Sequence, residues 1–98
     1  MTTTKITLVS CTGLASFMTD YNGTVVRSAK AFDILVRGML SEQVAVFAAD
    51  GETSNAVEKY DVRVEVGTDV QIFSINVYPE DRFGGEILAP ALRERGII

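Results

Sequence analysis

The sequence predicts an all-β domain: a single antiparallel β-sandwich or small barrel that ends in a short C-terminal helical turn. The clearest element is Tyr60–Val66, in which apolar and charged residues alternate with the period of two that is typical of a half-buried strand. Turn-forming pairs such as Asn22-Gly23 and Asp50-Gly51 separate this run from other short runs that are rich in β-branched residues. About five to seven short strands with turns between them favour a sandwich or barrel.

The densest apolar stretch, residues 32–51, has two interpretations. As strands, Phe32, Ile34 and Val36 share one face, and the alternation resumes after a connector at residues 38–42. A hairpin loop of five residues has an ordinary length. Because the rest of the chain has strand-like patterns, the sequence favours this interpretation.

The alternative is an amphipathic helix at about 28–40. Apolar residues then form a complete stripe at helical spacing, and Ser28 is in place as the N-cap. Two residues count against the helix: Gly38, which costs about 1 kcal/mol relative to Ala, and Ile34, which lies off the stripe. With this helix the fold is α+β, an antiparallel sheet covered by one helix.

Three short elements precede and follow the central stretch. Lys5–Val9 alternates and predicts a first strand. Asn22-Gly23 predicts a type I′ turn before a short strand at Thr24–Val26. Near the end of the chain, Pro90–Gly96 predicts a helical turn, with proline at its first position and glycine beyond its last.

The strand predicted to pair with Tyr60–Val66 is Val70–Tyr78, which follows the turn at residues 67–69. Its apolar periodicity shifts between Ile72 and Phe73. This shift predicts either a β-bulge or a strand that is buried on both faces near Phe73.

Composition bounds the class of protein. Ninety-eight residues suffice for one globular domain, residues 1–98, and residues 1–4 have the composition of a disordered tail. Nine basic and 13 acidic residues give a net charge of −4, which argues against a nucleic-acid partner. No apolar run approaches the ~20 residues that span a bilayer, and no signal-peptide pattern is present, so we expect neither a membrane partner nor secretion.

Catalytic and metal-binding equipment is sparse. The chain has no histidine, and its one cysteine, Cys11, therefore has no imidazole to activate it. Asp50, Glu52 and Asp69 could cluster around calcium, but their spacing matches no EF-hand loop. The adjacent carboxylates Glu80-Asp81 are more typical of a solvated loop than of an acid–base pair. We therefore predict no enzyme activity, no catalytic or metal-binding residues and no cofactor.

Aromatic and apolar residues in or beside turns are the candidates for a protein interface. Such positions are less expected for core residues, and aromatic residues with arginine are typical of interface hot spots. These aromatic residues either cap the ends of a sandwich core, which is the more usual role, or contact a partner. The apolar C-terminus, Ile97-Ile98, likewise docks either on the body of the protein or on a partner. The candidate interface residues are Tyr21, Tyr78, Arg82, Phe83, Ile97 and Ile98.

The stretch from Phe32 to Gly51 resembles small β-sandwich proteins of tailed-phage virions, among them head-decoration, fibre and cement proteins. In such proteins an alternating strand, a glycine, a short polar connector and a second strand lead to an Asp-Gly turn. The resemblance covers about a fifth of the chain, and Glu52–Asn55 stands where an aromatic residue often follows the turn.

This resemblance implies a non-catalytic structural module, most simply a virion decoration or accessory protein. Its partner would be a capsid protein or further copies of itself as a homo-oligomer, and its location the virion or the host cytoplasm. The alternative is a small phage- or mobile-element-encoded inhibitor of a host protein, comparable to anti-CRISPR proteins. The inhibitor hypothesis favours the α+β fold, and the virion hypothesis favours the sandwich.

Overall fold

The computed structural model describes residues 3–13, 18–46 and 57–97. These residues form a four-stranded antiparallel sheet and two α-helices. The fold of the described residues is therefore α+β, which corrects the expectation of an all-β sandwich or barrel. In chain order the elements are β1 (Thr4–Thr12), β2 (Val25–Val26), α1 (Ala29–Val46), β3 (Glu58–Val66), β4 (Asp69–Val77) and α2 (Leu88–Glu94). Across the sheet, the strands lie in the order β2-β1-β3-β4.

Helix α1 replaces the first predicted strand, the connector and the start of the second. Its buried stripe consists of Phe32, Val36, Met39 and Leu40, at most 3% exposed. Burying each of these side chains contributes roughly 1.5–3 kcal/mol, which outweighs the cost of about 1 kcal/mol for Gly38. The N-cap expected in the helical interpretation is confirmed, because the Ala31 N–H donates to Ser28 Oγ at 3.1 Å.

The core lies between the helices and one face of the sheet. Strand β1 contributes Ile6 and Leu8, β3 contributes Tyr60, Val62 and Val64, and β4 contributes Ile75 and Val77. Leu88 and Leu92 of α2 complete this cluster. A single sheet face of alternating apolar residues is thus covered by helices instead of by a second sheet.

The strand pairs are regular except in β1. Between β3 and β4 the register is continuous from Glu58↔Val77 to Val66↔Asp69, so the bulge expected near Phe73 is absent there. The register shifts in β1 instead, between Leu8 and Ser10. The expectation that β4 is buried on both faces is also wrong, because Ile72 on its outer face is 69% exposed.

The outer face of the sheet is polar at its centre. Asp61 of β3 accepts hydrogen bonds from Ser74 Oγ of β4 and, at 2.8 Å, from Ser10 Oγ of β1. These hydrogen bonds, Ser74 first and then Ser10, hold the pKa of the Asp61 carboxyl below its usual value of 3.8. Arg63 and Glu65 form an ion pair along β3. The charged face predicted for Tyr60–Val66 is therefore confirmed.

Two chain reversals show the backbone geometry that glycine permits. At the predicted Asn22-Gly23 turn, Asn22 has φ −62° and Gly23 has φ +88°, which is type II geometry, not type I′. After α2, Gly96 has φ +73°, its N–H donates to the Arg93 carbonyl, and the Ile97 N–H donates to the Leu92 carbonyl. This pair of hydrogen bonds is the Schellman motif that ends helices.

The two ends of the described chain bear on earlier expectations. Thr4 begins β1 and the Thr3 carbonyl accepts from the Gly67 N–H at 3.0 Å, so this half of the expected disordered tail belongs to the sheet. Met1 and Thr2 lie outside the described residues, as do Asp50, Gly51, Glu52 and Ile98. In the part of the chain that the structure describes, no helix has the length and apolar character needed to cross a membrane.

Candidate functional site: the Phe83 loop

The most exposed large hydrophobic side chain among the described residues is that of Phe83. It is 90% exposed and lies in the connection between β4 and α2. We name residues 78–85 of this connection the Phe83 loop. Tyr78, at the start of the loop, is 46% exposed. Two aromatic rings are thus presented to solvent close together in the chain, without a core role for Phe83.

The loop is compact because its own residues cap it. Pro79 begins a 3₁₀ helix, Pro79–Phe83, in which the fixed φ of proline suits the first position. The Asp81 carboxylate accepts from the Tyr78 N–H at 2.8 Å, and the Asp81 N–H donates to the Tyr78 carbonyl at 2.9 Å. The Arg82 guanidinium donates through Nε to the Pro79 carbonyl at 3.2 Å.

Helix α1 fixes the same loop from outside. Arg37 Nε donates to the Asp81 carbonyl at 2.8 Å, and Arg37 Nη2 donates to the Gly85 carbonyl. Beyond the loop, the buried Asp33 carboxylate accepts from the Ile87 N–H at 3.2 Å and from the Leu88 N–H at 3.0 Å. Asp33 and Arg37 are four residues apart and lie on one face of α1, so one helix turn holds both sides of the connection.

The chain leaves Phe83 through two glycines that both have positive φ. Gly84 has φ +130° and Gly85 has φ +91°, conformations that side chains with a Cβ rarely adopt. This reversal leaves the Phe83 ring at the tip of the loop while the chain returns to α2.

Of the predicted interface residues, the structure brings Tyr78, Arg82 and Phe83 together on this loop. Tyr21 lies elsewhere, in a 3₁₀ turn, where it is half-buried against the core and its hydroxyl donates to Glu42 at 3.5 Å. Ile97 packs against the core as the apolar residue of the Schellman motif. For Ile97, docking on the body of the protein is thus the alternative that the structure shows.

The structure shows the surroundings of Cys11 and Asp81, which the sequence analysis considered for catalysis. Burial, with the nearby carboxylates of Glu58 and Asp61, raises the pKa of the Cys11 thiol, which keeps it protonated and weakly nucleophilic at neutral pH. The Asp81 carboxylate caps the Phe83 loop. Within residues 3–13, 18–46 and 57–97, no group of three or more acidic or cysteine side chains is placed to hold a metal ion.

The residues that the sequence analysis missed are Asp33 and Arg37. The strand interpretation places these two residues on the face opposite Phe32, Ile34 and Val36. It gives no reason to expect contacts with residues about fifty positions away in the chain. A signal was present in the helical interpretation, since polar residues four apart at the edge of an apolar stripe are placed to contact a neighbouring segment.

Comparison of the chain with protein-family models, curated proteins and solved structures finds no match.

Proposed function

We propose that this chain is a non-catalytic protein-binding module and that Phe83 is the anchor of its interface. The observation that carries the proposal is an almost fully exposed phenylalanine on a loop fixed by backbone and side-chain hydrogen bonds. Aromatic side chains on rigid supports are typical interface anchors, because little conformational freedom is lost when they enter a pocket. Burying such a ring contributes roughly 1.5–3 kcal/mol, equivalent to about 10- to 100-fold in affinity.

Phe83→Ala tests this proposal, and Ile34→Ala is the matched control because Ile34 is an exposed apolar residue on α1. Proteins captured from a bacterial lysate by the wild-type chain would be compared quantitatively with those captured by each variant. We expect a specific partner to be lost with Phe83→Ala and kept with Ile34→Ala, and its Kd to rise about 10- to 100-fold in titration calorimetry. A partner retained equally by both variants would refute the assignment.

The non-catalytic part of the proposal is supported by what the candidate groups already do. Asp81 caps the loop, and the protonated Cys11 thiol is a poor nucleophile. Purified Glu80→Gln and Asp81→Asn variants test this part of the proposal. If the wild-type protein had a measurable acid–base activity that either variant lost, the non-catalytic assignment would be wrong.

Two assignments lie within this class: a virion decoration or accessory protein, and a small phage- or mobile-element-encoded inhibitor of a host protein. The α+β fold is the specific observation that favours the inhibitor, because the residues that resemble virion sandwich proteins lie largely within α1. Size-exclusion chromatography with light scattering separates the two. A monomer that captures one host protein supports the inhibitor, whereas a discrete homo-oligomer that binds capsids supports the virion role.

A further inference from the structure

A groove of about 440 Å³ lies between the free edge of β4 and helix α2. Its walls include Ser74, Ile75 and Asn76 on the strand side and Ala91, Glu94 and Arg95 on the helix side. Side chains alternate between the two faces of a strand, so three consecutive residues can line one groove only along the strand's edge. The groove therefore borders the backbone of β4 itself, and we name it the β4–α2 groove.

Among the residues that the structure describes, the edge of β4 lacks the protection that natural edge strands usually have. β4 is the last strand of the sheet and has nine residues. Its residues Val70–Val77 carry no charge and contain no proline, and its pairing with β3 has no bulge. Edge strands that do not pair normally carry a charge, a proline or a bulge that prevents pairing. An edge without them is suited to accept another strand.

The opposite wall of the groove is fixed at both ends. The buried Asp33 carboxylate accepts from the Leu88 N–H at the start of α2 and from the Ile87 N–H just before it. At the other end, the Arg95 guanidinium lies 4.0 Å from the centre of the Phe73 ring, a cation–π contact between the end of α2 and β4. The helix is held beside the strand without closing on it, so the groove is formed before any ligand arrives.

The charge of the groove selects its occupant. Asp81, Glu86 and Glu94 line it, together with Arg95, whose guanidinium is stacked on Phe73. Glu86 is paired with Arg93 and the Asp81 carboxylate accepts from the Tyr78 N–H, so Glu94 is the carboxylate best placed to meet a basic side chain. Ile75 and Ala91 supply apolar surface between these carboxylates. Such a lining complements an extended segment in which apolar side chains alternate with basic ones.

We propose that the β4–α2 groove binds an extended, lysine- or arginine-bearing segment of a partner protein, which adds as a fifth strand to β4. This inference rests on the proposed role as a protein-binding module and names the chemistry of the partner. The volume of about 440 Å³ lies in the range of ~300–1,000 Å³ that is usual for ligand sites. Backbone hydrogen bonds to β4 provide affinity, and the carboxylates provide the preference for basic side chains.

The test uses a fluorescently labelled peptide of alternating lysine and valine, with an alternating glutamate–valine peptide as its counterpart. Fluorescence anisotropy measures binding to the full chain, and ¹⁵N-resolved NMR locates it. We expect the lysine peptide to shift the amides of residues 74–76 and the glutamate peptide to bind at least about 10-fold more weakly. N-methylation of alternate peptide nitrogens on the pairing edge should abolish binding, because strand addition requires those donors.

Glu94→Lys and Glu80→Lys form a matched pair of charge reversals, since both glutamates are exposed and only Glu94 lines the groove. Glu94→Lys should raise the Kd of the lysine peptide about 10-fold or more, while Glu80→Lys should leave it within about 2-fold. Equal binding of the two peptides, unshifted amides at residues 74–76, or equal effects of the two reversals would overturn the inference. So would a concentration-dependent dimer that Glu94→Lys dissociates, because a second copy would then be the occupant.

The Phe83→Ala variant separates this inference from the proposed function. The peptide probe does not depend on Phe83, so this variant should bind it as the wild type does. If the peptides fail while partner capture still requires Phe83, the groove inference is lost and the proposed function stands.

Discussion

Replacing Asp33 by alanine removes a carboxylate that joins α1 to the start of α2. Asp33 is 5% exposed, and both of its carboxylate oxygens accept backbone N–H groups, from Ile87 at 3.2 Å and from Leu88 at 3.0 Å. These two residues are themselves buried, so water cannot easily replace the lost acceptor. A buried donor without an acceptor costs about 1–3 kcal/mol, so two such donors predict a loss of roughly 2–6 kcal/mol.

Urea denaturation followed by circular dichroism measures this loss as a change in the free energy of unfolding. Asp33→Asn should lie between wild type and Asp33→Ala, because the amide keeps one acceptor oxygen and loses the charge. Asp20→Ala is the control, since Asp20 is exposed in a surface turn and its replacement should change stability by less than about 0.5 kcal/mol. If Asp33→Ala costs no more than Asp20→Ala, the carboxylate does not hold α2 as we describe.

Two further predictions concern glycine positions and an outer-face carboxylate. Gly38→Ala should stabilise the protein by about 0.5–1 kcal/mol, because helix α1 leaves open space where the new Cβ would lie. Gly13→Ala should destabilise the protein, because Gly13 has φ +102° and a Cβ there would overlap the Glu58 side chain. Thermal unfolding should therefore show a higher Tm for Gly38→Ala and a lower Tm for Gly13→Ala than for wild type. Shifts of the same sign in both variants would contradict this prediction. Two serine hydroxyls lower the folded pKa of Asp61, so its contribution to stability is complete above the unfolded pKa and is lost as pH falls through the lower folded value. Urea midpoints from pH 6 to pH 2 should therefore fall less steeply below about pH 4 in Asp61→Asn than in wild type, and parallel curves would refute this.

The sequence predicted the sheet better than the helices because strand periodicity has few competing interpretations. Tyr60–Val66 alternates strictly, and the structure places it in β3 as all but the first two residues of that strand. In residues 32–40 the alternation of Phe32, Ile34 and Val36 competed with a helical stripe, and local pattern alone could not rank them. Tertiary burial decided, since the helix buries its apolar stripe against the sheet and leaves Ile34 exposed.

The candidate site was predictable in part for the same reason. The position of Phe83 among turn-forming residues marked it as an aromatic side chain outside the regular core pattern. Its support was not predictable, because Asp33 and Arg37 reach residues about fifty positions away and only the packing of α1 brings them there. The β4–α2 groove likewise depends on where α2 lies, which no local pattern encodes. The periodicity shift at Ile72 and Phe73 did mark an unusual strand, with exposed apolar surface in place of a bulge.

The two edges of the sheet are unequal, and this inequality limits how copies of the protein can assemble. Fibrous growth requires every subunit to offer one edge and receive another, so that strands add without end. Here one edge is the uninterrupted β4, while the other is formed by the two-residue β2 beside a bulged β1. If two copies paired through β4, the β4 edge of each copy would be covered, and the assembly would stop at two subunits. An open β4 edge in the described residues therefore does not by itself make the chain the building block of a fibre.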